Sequence, residues 1–306
     1  MSRSIHRRAL LRALCLPLLL VTIVACHRQD PSALNANELF FDETLASISP
    51  DATLPDLFYI GTEDGVVYAY DADQGTTRRW LTAFDRIYKV MRDQSADSAA
   101  QPHDGTTFWV GTRNMGVVRC QLQGDSLVLR RQYALPRSGR GTHYSVYDLH
   151  QDPSGLYVAT SNGLFLLSPN DTMQALHASW EIESGEGAFR PLVVSDIRRL
   201  PSGGLVCASA SGVLSIDTRR RQSHLLLRAN CTSLSLSGDT ILALLGDSIK
   251  ALLPDGRLVG KSRLSHPAYT CFHEPSTRMN YLLDGTSVQF FSNDEIADRL
   301  TPRRAP

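Results

Sequence analysis

The sequence lacks most of the features from which a function is usually inferred. Its 31 basic and 31 acidic residues cancel at neutral pH, which excludes a polybasic nucleic-acid binder, so no nucleic-acid partner is expected. Only six of its 306 residues are cysteine, too few for a fold held together by disulfides. Residues 27–306 contain no apolar run near the ~18 residues of a membrane-spanning helix. The chain also has no glycine-rich phosphate loop, nucleophile elbow or HExxH motif.

The remaining composition is that of a globular protein. Hydrophobic residues make up 42% of the chain, which is enough to build a core, and the length predicts one large domain or two ordinary ones. Lysine is scarce, with three residues against 28 arginines. This bias is typical of a GC-rich genome, and arginine-rich recognition surfaces are the alternative explanation.

The N-terminus predicts export and lipid attachment. Residues 1–25 contain four arginines and no acid, and the apolar run from Leu14 to Val24 has the length of a signal-peptide core. Ile23-Val24-Ala25-Cys26 resembles the lipobox of bacterial lipoproteins, in which the cysteine is acylated and becomes the new N-terminus. An ordinary secretory signal and a twin-arginine signal at Arg7–Arg12 are the alternatives. We therefore expect a protein of the bacterial cell envelope, bound through a lipid on Cys26 to the outer membrane and facing the periplasm or the cell surface.

The body of the chain is an internal repeat. Four units each contain a strand-like segment of aromatic and β-branched residues, a tight turn with glycine and a second strand-like segment, and two weaker copies follow. The first four turn glycines are spaced by 51, 47 and 49 residues. The six turns contain Gly65, Gly116, Gly163, Gly212, Gly246 and Gly285. Small residues end the first strand of the first four units and predict close packing against a neighbouring sheet; these are Gly61, Gly111, Ala159 and Ala208.

Further apolar runs before and after most units raise the count to four strands per repeat, which is the pattern of a β-propeller blade. We predict an all-β propeller of six blades, with seven as the alternative. The segment 37–42 is expected to act as a latch that supplies the outermost strand of the last blade. The predicted organisation is a signal peptide at 1–25, a lipid-anchored tether at 26–36, the propeller at 37–296 and a C-terminal tail at 297–306.

Two units carry a family resemblance. The segment from Val146 to Leu164 is similar to the two-component regulator propeller repeat, and the segment from Val194 to Val213 repeats it. That resemblance implies a ligand-sensing propeller of the envelope, many of which respond to carbohydrates. The first unit, Phe58 to Gly75, also resembles the quinoprotein-type repeat, whose non-enzymatic members include scaffolds for outer-membrane protein assembly. Three tryptophans are too few for the regular tryptophan of quinoprotein enzymes, so no cofactor is expected.

Ligand sites on propellers usually lie where loops lead into the inner strands at one mouth of the channel. Tyrosine and histidine offer flat faces to a ligand there, and arginine offers a planar set of donors. The candidate ligand-binding residues are Arg86, Arg140, His143, Tyr144, Arg190, Asn230 and Tyr269, accompanied on the same loops by Tyr88 and His266.

Asp148 and Asp196 occupy equivalent positions in consecutive repeats. We interpret them as acceptors for turn amides within the blade, and paired acid–base catalysts are the alternative. Whether Cys231 and Cys271 form a disulfide stays open, and no metal site is predicted.

Three functions follow from these observations. The first is a non-catalytic envelope lipoprotein whose propeller binds a small ligand, which could be a glycan, or a partner protein. The second is a scaffold for envelope or outer-membrane protein assembly. The third is a carbohydrate-active hydrolase or lyase, against which stands the lack of a dense cluster of acids.

Overall fold

The computed structural model describes residues 38–54, 56–94, 101–135, 144–177, 193–218, 222–264, 268, 270–274, 279–283, 285 and 287–292. The predicted signal peptide, tether and C-terminal tail lie outside these ranges. Within them every regular element is a β-strand, and no helix is present that could cross a membrane. The all-β prediction is confirmed.

The chain divides into a short N-terminal unit, residues 1–39, and a main unit, residues 40–306. Strand β1 (Glu38–Phe40) begins in the first unit and ends in the second. Eight strands of the main unit form one sheet with two antiparallel halves, which we call sheets I and II. Sheet I contains β2 (Leu45–Pro50), β3 (Leu57–Thr62), β4 (Val66–Asp71) and β5 (Thr76–Leu81). Sheet II contains β6 (Ile87–Arg92), β7 (Thr107–Thr112), β8 (Val117–Gln123) and β9 (Ser126–Tyr133).

Three further sheets have four antiparallel strands each in sequence order. Sheet III contains β10 (Val146–Asp152), β11 (Gly155–Thr160), β12 (Gly163–Leu167) and β13 (Met173–His177). Sheet IV contains β14 (Val194–Arg199), β15 (Leu205–Ser209), β16 (Gly212–Asp217) and β17 (Gln222–Leu227). Sheet V contains β18 (Ser233–Ser237), β19 (Thr240–Leu245), β20 (Ser248–Leu252) and β21 (Leu258–Arg263). To the last sheet, sheet VI, the main unit contributes β22 (Thr270–Glu274), β23 (Met279–Leu283) and β24 (Ser287–Ser292).

The sheets are arranged as a β-propeller. The first strand of each sheet contacts the first strand of the next, and β22 of the last sheet contacts β2 of the first. At this junction the rings of Phe58 and Tyr281 lie 4.6 Å apart, and the Leu45 N–H donates to the Gly285 carbonyl at 2.5 Å. We call the first strand of each sheet its inner strand.

The core lies between neighbouring sheets. Between sheets I and II the ring of Phe108 lies 5.3 Å from each of the rings of Tyr59 and Trp80, and all three side chains are buried. Two glycines near the ends of the second strands β3 and β7 allow neighbouring sheets to pack closely. A Cβ on Gly61 would lie 2.6 Å from the Ile87 carbonyl, and one on Gly111 would lie 2.8 Å from a methyl group of Val146. The predicted close packing at these small residues is confirmed.

The strand predictions differ from the structure in two places. Strand β13 spans Met173–His177, whereas the sequence pattern places the fourth strand of that repeat at residues 177–182. Strand β2 is the inner strand of the first unit, and the repeat pattern does not reveal it. Its sequence, LASISP, has no aromatic residue and only one β-branched residue, so its propensity for a strand is weak.

Candidate functional site

Three of the seven candidate ligand-binding residues lie in the described part of the chain, and they do not share one environment. Arg86 is half-buried, Asn230 is exposed, and Tyr144 is 8% exposed with its ring 6.2 Å from that of Phe165 in the core of sheet III. Most of the Tyr144 side chain is therefore buried in the core. The other four, Arg140, His143, Arg190 and Tyr269, lie outside the described residues.

Arg86 belongs to a small polar and aromatic group at the start of the inner strands, which we call the mouth cluster: Glu63, Arg86, Tyr88 and Tyr147. Arg86 forms an ion pair with Glu63, donates to the Tyr88 hydroxyl at 3.3 Å and stacks over its ring. The rings of Tyr88 and Tyr147 lie 5.0 Å apart. Tyr147 follows Val146 just as Tyr88 follows Ile87, so aligning the inner strands of the repeats would have identified it.

Charged side chains cross from one inner strand to the next around the channel. This inner network consists of Lys89, Asp148, Asp196 and Arg198. The Lys89 ammonium lies 2.7 Å from Asp148, and Arg198 Nη1 lies 3.0 Å from Asp148 and 2.5 Å from Asp196. Buried charges persist in proteins only when they are paired in this way.

The two aspartates also bind the backbone of the next sheet. Asp148 accepts a hydrogen bond from the Ile197 N–H at 2.8 Å, and Asp196 accepts one from the Leu234 N–H at 2.8 Å. The interpretation that they serve the fold agrees with these contacts. The expected partner was wrong, because the amides belong to the neighbouring inner strand and not to a turn of the same blade.

The two carboxyl groups differ in acidity although both are buried. Burial alone would raise the pKa of Asp148, but Lys89 and Arg198 outweigh it and hold that pKa well below the usual value. For Asp196, burial dominates over the opposing effect of Arg198 and raises the pKa to about 7, with the charge on Asp148 acting in the same direction. The two aspartates are therefore more stable with one negative charge between them than with two.

A second set of aspartates links the sheets at the other ends of the inner strands. Each lies at or just beyond the end of its strand and contacts a polar side chain at the sixth position of the next inner strand. The pairs are Asp51 with Arg92 at 2.9 Å, Asp93 with Gln151 at 3.2 Å, and Asp152 with Arg199. These residues are not among the candidates proposed from sequence, although their equal position in three repeats is the signal that could have found them.

A cleft of about 410 Å³ opens between sheets II and III, at the ends of the inner strands opposite the mouth cluster. One wall comes from sheet II and the other from the two turns of sheet III. The lining residues are Gln94, Trp109, Arg119, Gln151, Asp152, Pro153, Gly155, Leu156, Leu167, Ser168, Pro169 and Asp171. None of the residues proposed from sequence lines it.

Sheet II carries a stack of cations and aromatic rings, of which Arg119 and Trp109 line the cleft. The Arg119 guanidinium lies 5.4 Å from the Trp109 ring, Trp109 lies 5.4 Å from Tyr133, and Arg131 lies 4.8 Å from Tyr133. Asp171, in the turn of sheet III, accepts a hydrogen bond from the Tyr133 hydroxyl at 3.1 Å. This contact ties the outer part of the two walls together.

The charges around the cleft are balanced. Asp93 is 1% exposed and lies 2.5 Å from Arg119, while its other oxygen accepts from Gln151. Asp152 and Asp171 have their own arginine partners, Arg199 and Arg131. A cleft with paired charges and mixed polar and apolar walls suits a neutral polar ligand better than an ion.

Within the described residues, no group of three or more histidine, cysteine, aspartate or glutamate side chains is placed to hold a metal ion. Cys231 is buried, and the side chain of Cys271 lies outside the described residues, so whether the two form a disulfide stays open.

The fold and cleft define the chain as a β-propeller protein, and comparison with known proteins supports this class. No protein-family model and no curated protein matches the sequence. Among solved structures, the extracellular domain of the proposed hybrid two-component system BT4673 of B. thetaiotaomicron is similar, with a TM-score of 0.55 and 14% identity over 81% of this chain. The chain spans about a third, 34%, of that structure.

Two smaller propellers match over most of their length. One is a proposed gluconolactonase, with a TM-score of 0.57 and 15% identity, covering 84% of this chain and 93% of that one. The other is the Cps50 (Swd1) β-propeller domain of Myceliophteria thermophila, with a TM-score of 0.54, 14% identity and coverage of 84% and 98%. At these identities the likeness extends to the fold, and the predicted resemblance to a sensor propeller is supported at that level.

The opposite pKa shifts of Asp148 and Asp196 predict opposite effects of pH on stability. Asp196 holds its proton to higher pH when folded than the ~3.9 expected when unfolded, so its contribution to stability is greatest below pH 4 and is lost as pH rises through about 7. Asp196→Asn should remove this loss and flatten the stability profile between pH 5 and 8. Urea unfolding at several pH values measures the free energy of unfolding of both proteins. Parallel pH profiles for the variant and the parent protein would contradict the assignment of this pH dependence to Asp196.

Asp148→Asn is the matched control, at the equivalent position of the preceding repeat. Because the folded pKa of Asp148 is lowered, its carboxylate stabilises the protein above pH 4. Its removal leaves Lys89 and Arg198 without this partner and should lower the free energy of unfolding by about 3–5 kcal/mol at pH 7.

Proposed function

We propose that this chain is a non-catalytic, sensor-type propeller that binds a small neutral ligand at the bacterial cell envelope. The observation that carries the proposal is the cleft between sheets II and III. Its volume of about 410 Å³ suits a small molecule, and it combines apolar surface with planar polar groups. The buried Asp93 contacts both Arg119 and Gln151, so both walls are held in place before a ligand arrives.

The inner network supports binding over catalysis. Asp148 and Asp196, the sequence's best candidates for an acid–base pair, are 3% and 4% exposed. Each already accepts a backbone hydrogen bond and is paired with Arg198. A carboxylate used in this way is poorly placed to reach a substrate.

The envelope location is proposed from the N-terminus and from the comparisons. The sequence Ile23-Val24-Ala25-Cys26 fits acylation of Cys26, which would hold the protein on a membrane. The BT4673 match is described as an extracellular domain, which is consistent with a propeller exposed outside the cytoplasm.

The cleft and the mouth cluster can be separated experimentally. Gln94 is exposed and lines the cleft, so Gln94→Trp should fill it without disturbing the core. Arg86→Gln alters only the mouth cluster. In a thermal-shift screen of neutral polar compounds, including mono- and oligosaccharides, we expect a ligand whose Kd rises at least tenfold in Gln94→Trp and is unchanged in Arg86→Gln.

The reverse pattern would place the ligand at the mouth cluster and overturn the cleft as its site. A protein that shows no shift with any compound but purifies with a stable envelope partner would contradict the sensor proposal and favour a scaffold.

We further propose that sheets I to VI are six blades and that β1 completes the last one as a latch. The main unit contributes four strands to each of sheets I to V but three to sheet VI. The bond from Leu45 to Gly285 brings the chain just after β1 beside the turn that precedes β24. A further strand there would cover the edge of β24.

The latch is tested by a proline, which cannot donate a backbone hydrogen bond. Leu39→Pro should lower Tm by roughly 5 °C or more, whereas Phe40→Ser should have little effect because that side chain is 54% exposed. Equal Tm values for Leu39→Pro and the parent protein would dismiss the latch.

A further inference from the structure

The two outer strands of sheet V carry a charged surface that ligand binding does not use. Strands β20 and β21 pair antiparallel, with Lys250 directly opposite Lys261 and Ser248 opposite Arg263. Residues opposite each other, and residues two apart on a strand, share one face of a sheet. Lys250, Lys261 and Arg263 therefore lie on the same face.

This arrangement is unfavourable for an isolated sheet, because like charges directly opposite each other repel. Lys261 is exposed and Lys250 half-buried, and in the described part of the chain neither forms an ion pair with a carboxylate. Arg263 pairs with Asp247 at 2.8 Å but stays 83% exposed. Two of the chain's three lysines thus face each other, and no carboxylate of the described residues pairs with either of them.

Exposed apolar side chains lie on the same outer strand. Leu258 is 49% and Val259 is 48% exposed, and Arg257 beside them is exposed as well. Basic side chains next to exposed aliphatic ones are typical of a surface that contacts anionic lipid, since the cations bind headgroups while the aliphatic groups enter the interface.

We propose that the outer edge of sheet V, formed by Lys250, Leu258, Val259, Lys261 and Arg263, is the surface with which this protein lies on an anionic lipid bilayer. Charge complementarity selects this occupant, because two lysines with no carboxylate partner among the described residues attract an anionic surface, and the neighbouring aliphatic pair can enter its apolar phase. The predicted tether of residues 26–36 would reach at most ~40 Å and so keep the propeller close to the bilayer. The proposal adds a second membrane contact to the proposed lipid on Cys26 and is independent of the ligand.

Vesicle co-sedimentation tests the surface apart from the anchor. The probe is the mature chain, residues 26–306, carrying Cys26→Ser so that no thiol is available for acylation. We expect it to bind phosphatidylcholine vesicles that contain about one third phosphatidylglycerol, and to bind pure phosphatidylcholine vesicles much less. Added salt should weaken the binding because the attraction is electrostatic.

Variants distinguish binding through this edge from non-specific adsorption to vesicles. Lys250→Gln with Lys261→Gln should lower the partition coefficient at least tenfold, since each lysine near an anionic surface contributes about 1 kcal/mol. Leu258→Ser with Val259→Ser should also lower it. Lys250→Arg with Lys261→Arg should keep the binding, which distinguishes a loss of charge from a loss of folding.

The matched control is on β5, another outer strand that combines an exposed arginine with an exposed leucine. Arg78→Gln with Leu81→Ser should leave vesicle binding unchanged. The proposal is overturned if the chain binds neither kind of vesicle, binds both equally, or binds as well after the lysine-to-glutamine changes as before. None of these outcomes bears on the ligand-binding cleft, so the two proposals can fail separately.

Discussion

Buried aspartates that reach from one inner strand to the next are the interaction on which this structure depends. A propeller has no hydrogen-bonded ladder between its sheets at the channel, so neighbouring inner strands need other directional contacts. Asp148 and Asp196 provide them by accepting backbone N–H groups of the following sheet, and Asp51 and Asp93 provide them through side chains at the opposite strand ends. Each carboxylate is buried, so losing its partner would leave a charge without compensation.

Inter-sheet aspartates also determine the shape of the cleft. Asp93 contacts Arg119 on one wall and Gln151 on the other, and Asp171 joins the turn of sheet III to Tyr133. A binding surface between two sheets is useful only if the sheets keep their distance. In this protein the contacts that link neighbouring sheets also fix the separation of the walls, which joins the stability of the fold to its proposed function.

The propeller could be predicted from sequence because its signals are local. Tight-turn glycines, aromatic strands and small residues such as Gly111 recur at a regular interval, and each is dictated by backbone geometry or close packing. The equivalence of Asp148 and Asp196 was also visible. Their partners were not, because a repeat shows that a position is used without showing which neighbouring sheet it contacts.

The candidate site was harder to predict for a related reason. Tyr144 occupies a loop in the sequence, yet its ring packs against Phe165, and exposure is decided by tertiary packing that a linear pattern does not contain. The cleft lies between strands of sheet II and turns of sheet III, whose residues are far apart in sequence. Its polar residues, such as Gln94 and Gln151, are distant in sequence, and only the fold brings them together.

The most direct test of this account is amide hydrogen exchange on Asp93→Asn. If Asp93 holds both walls of the cleft, exchange should accelerate in the segment 151–156 of sheet III, while sheet V, which lies far along the ring, keeps the rates of the parent protein. Unchanged exchange at 151–156 would contradict the claim that the inter-sheet aspartates preform the cleft.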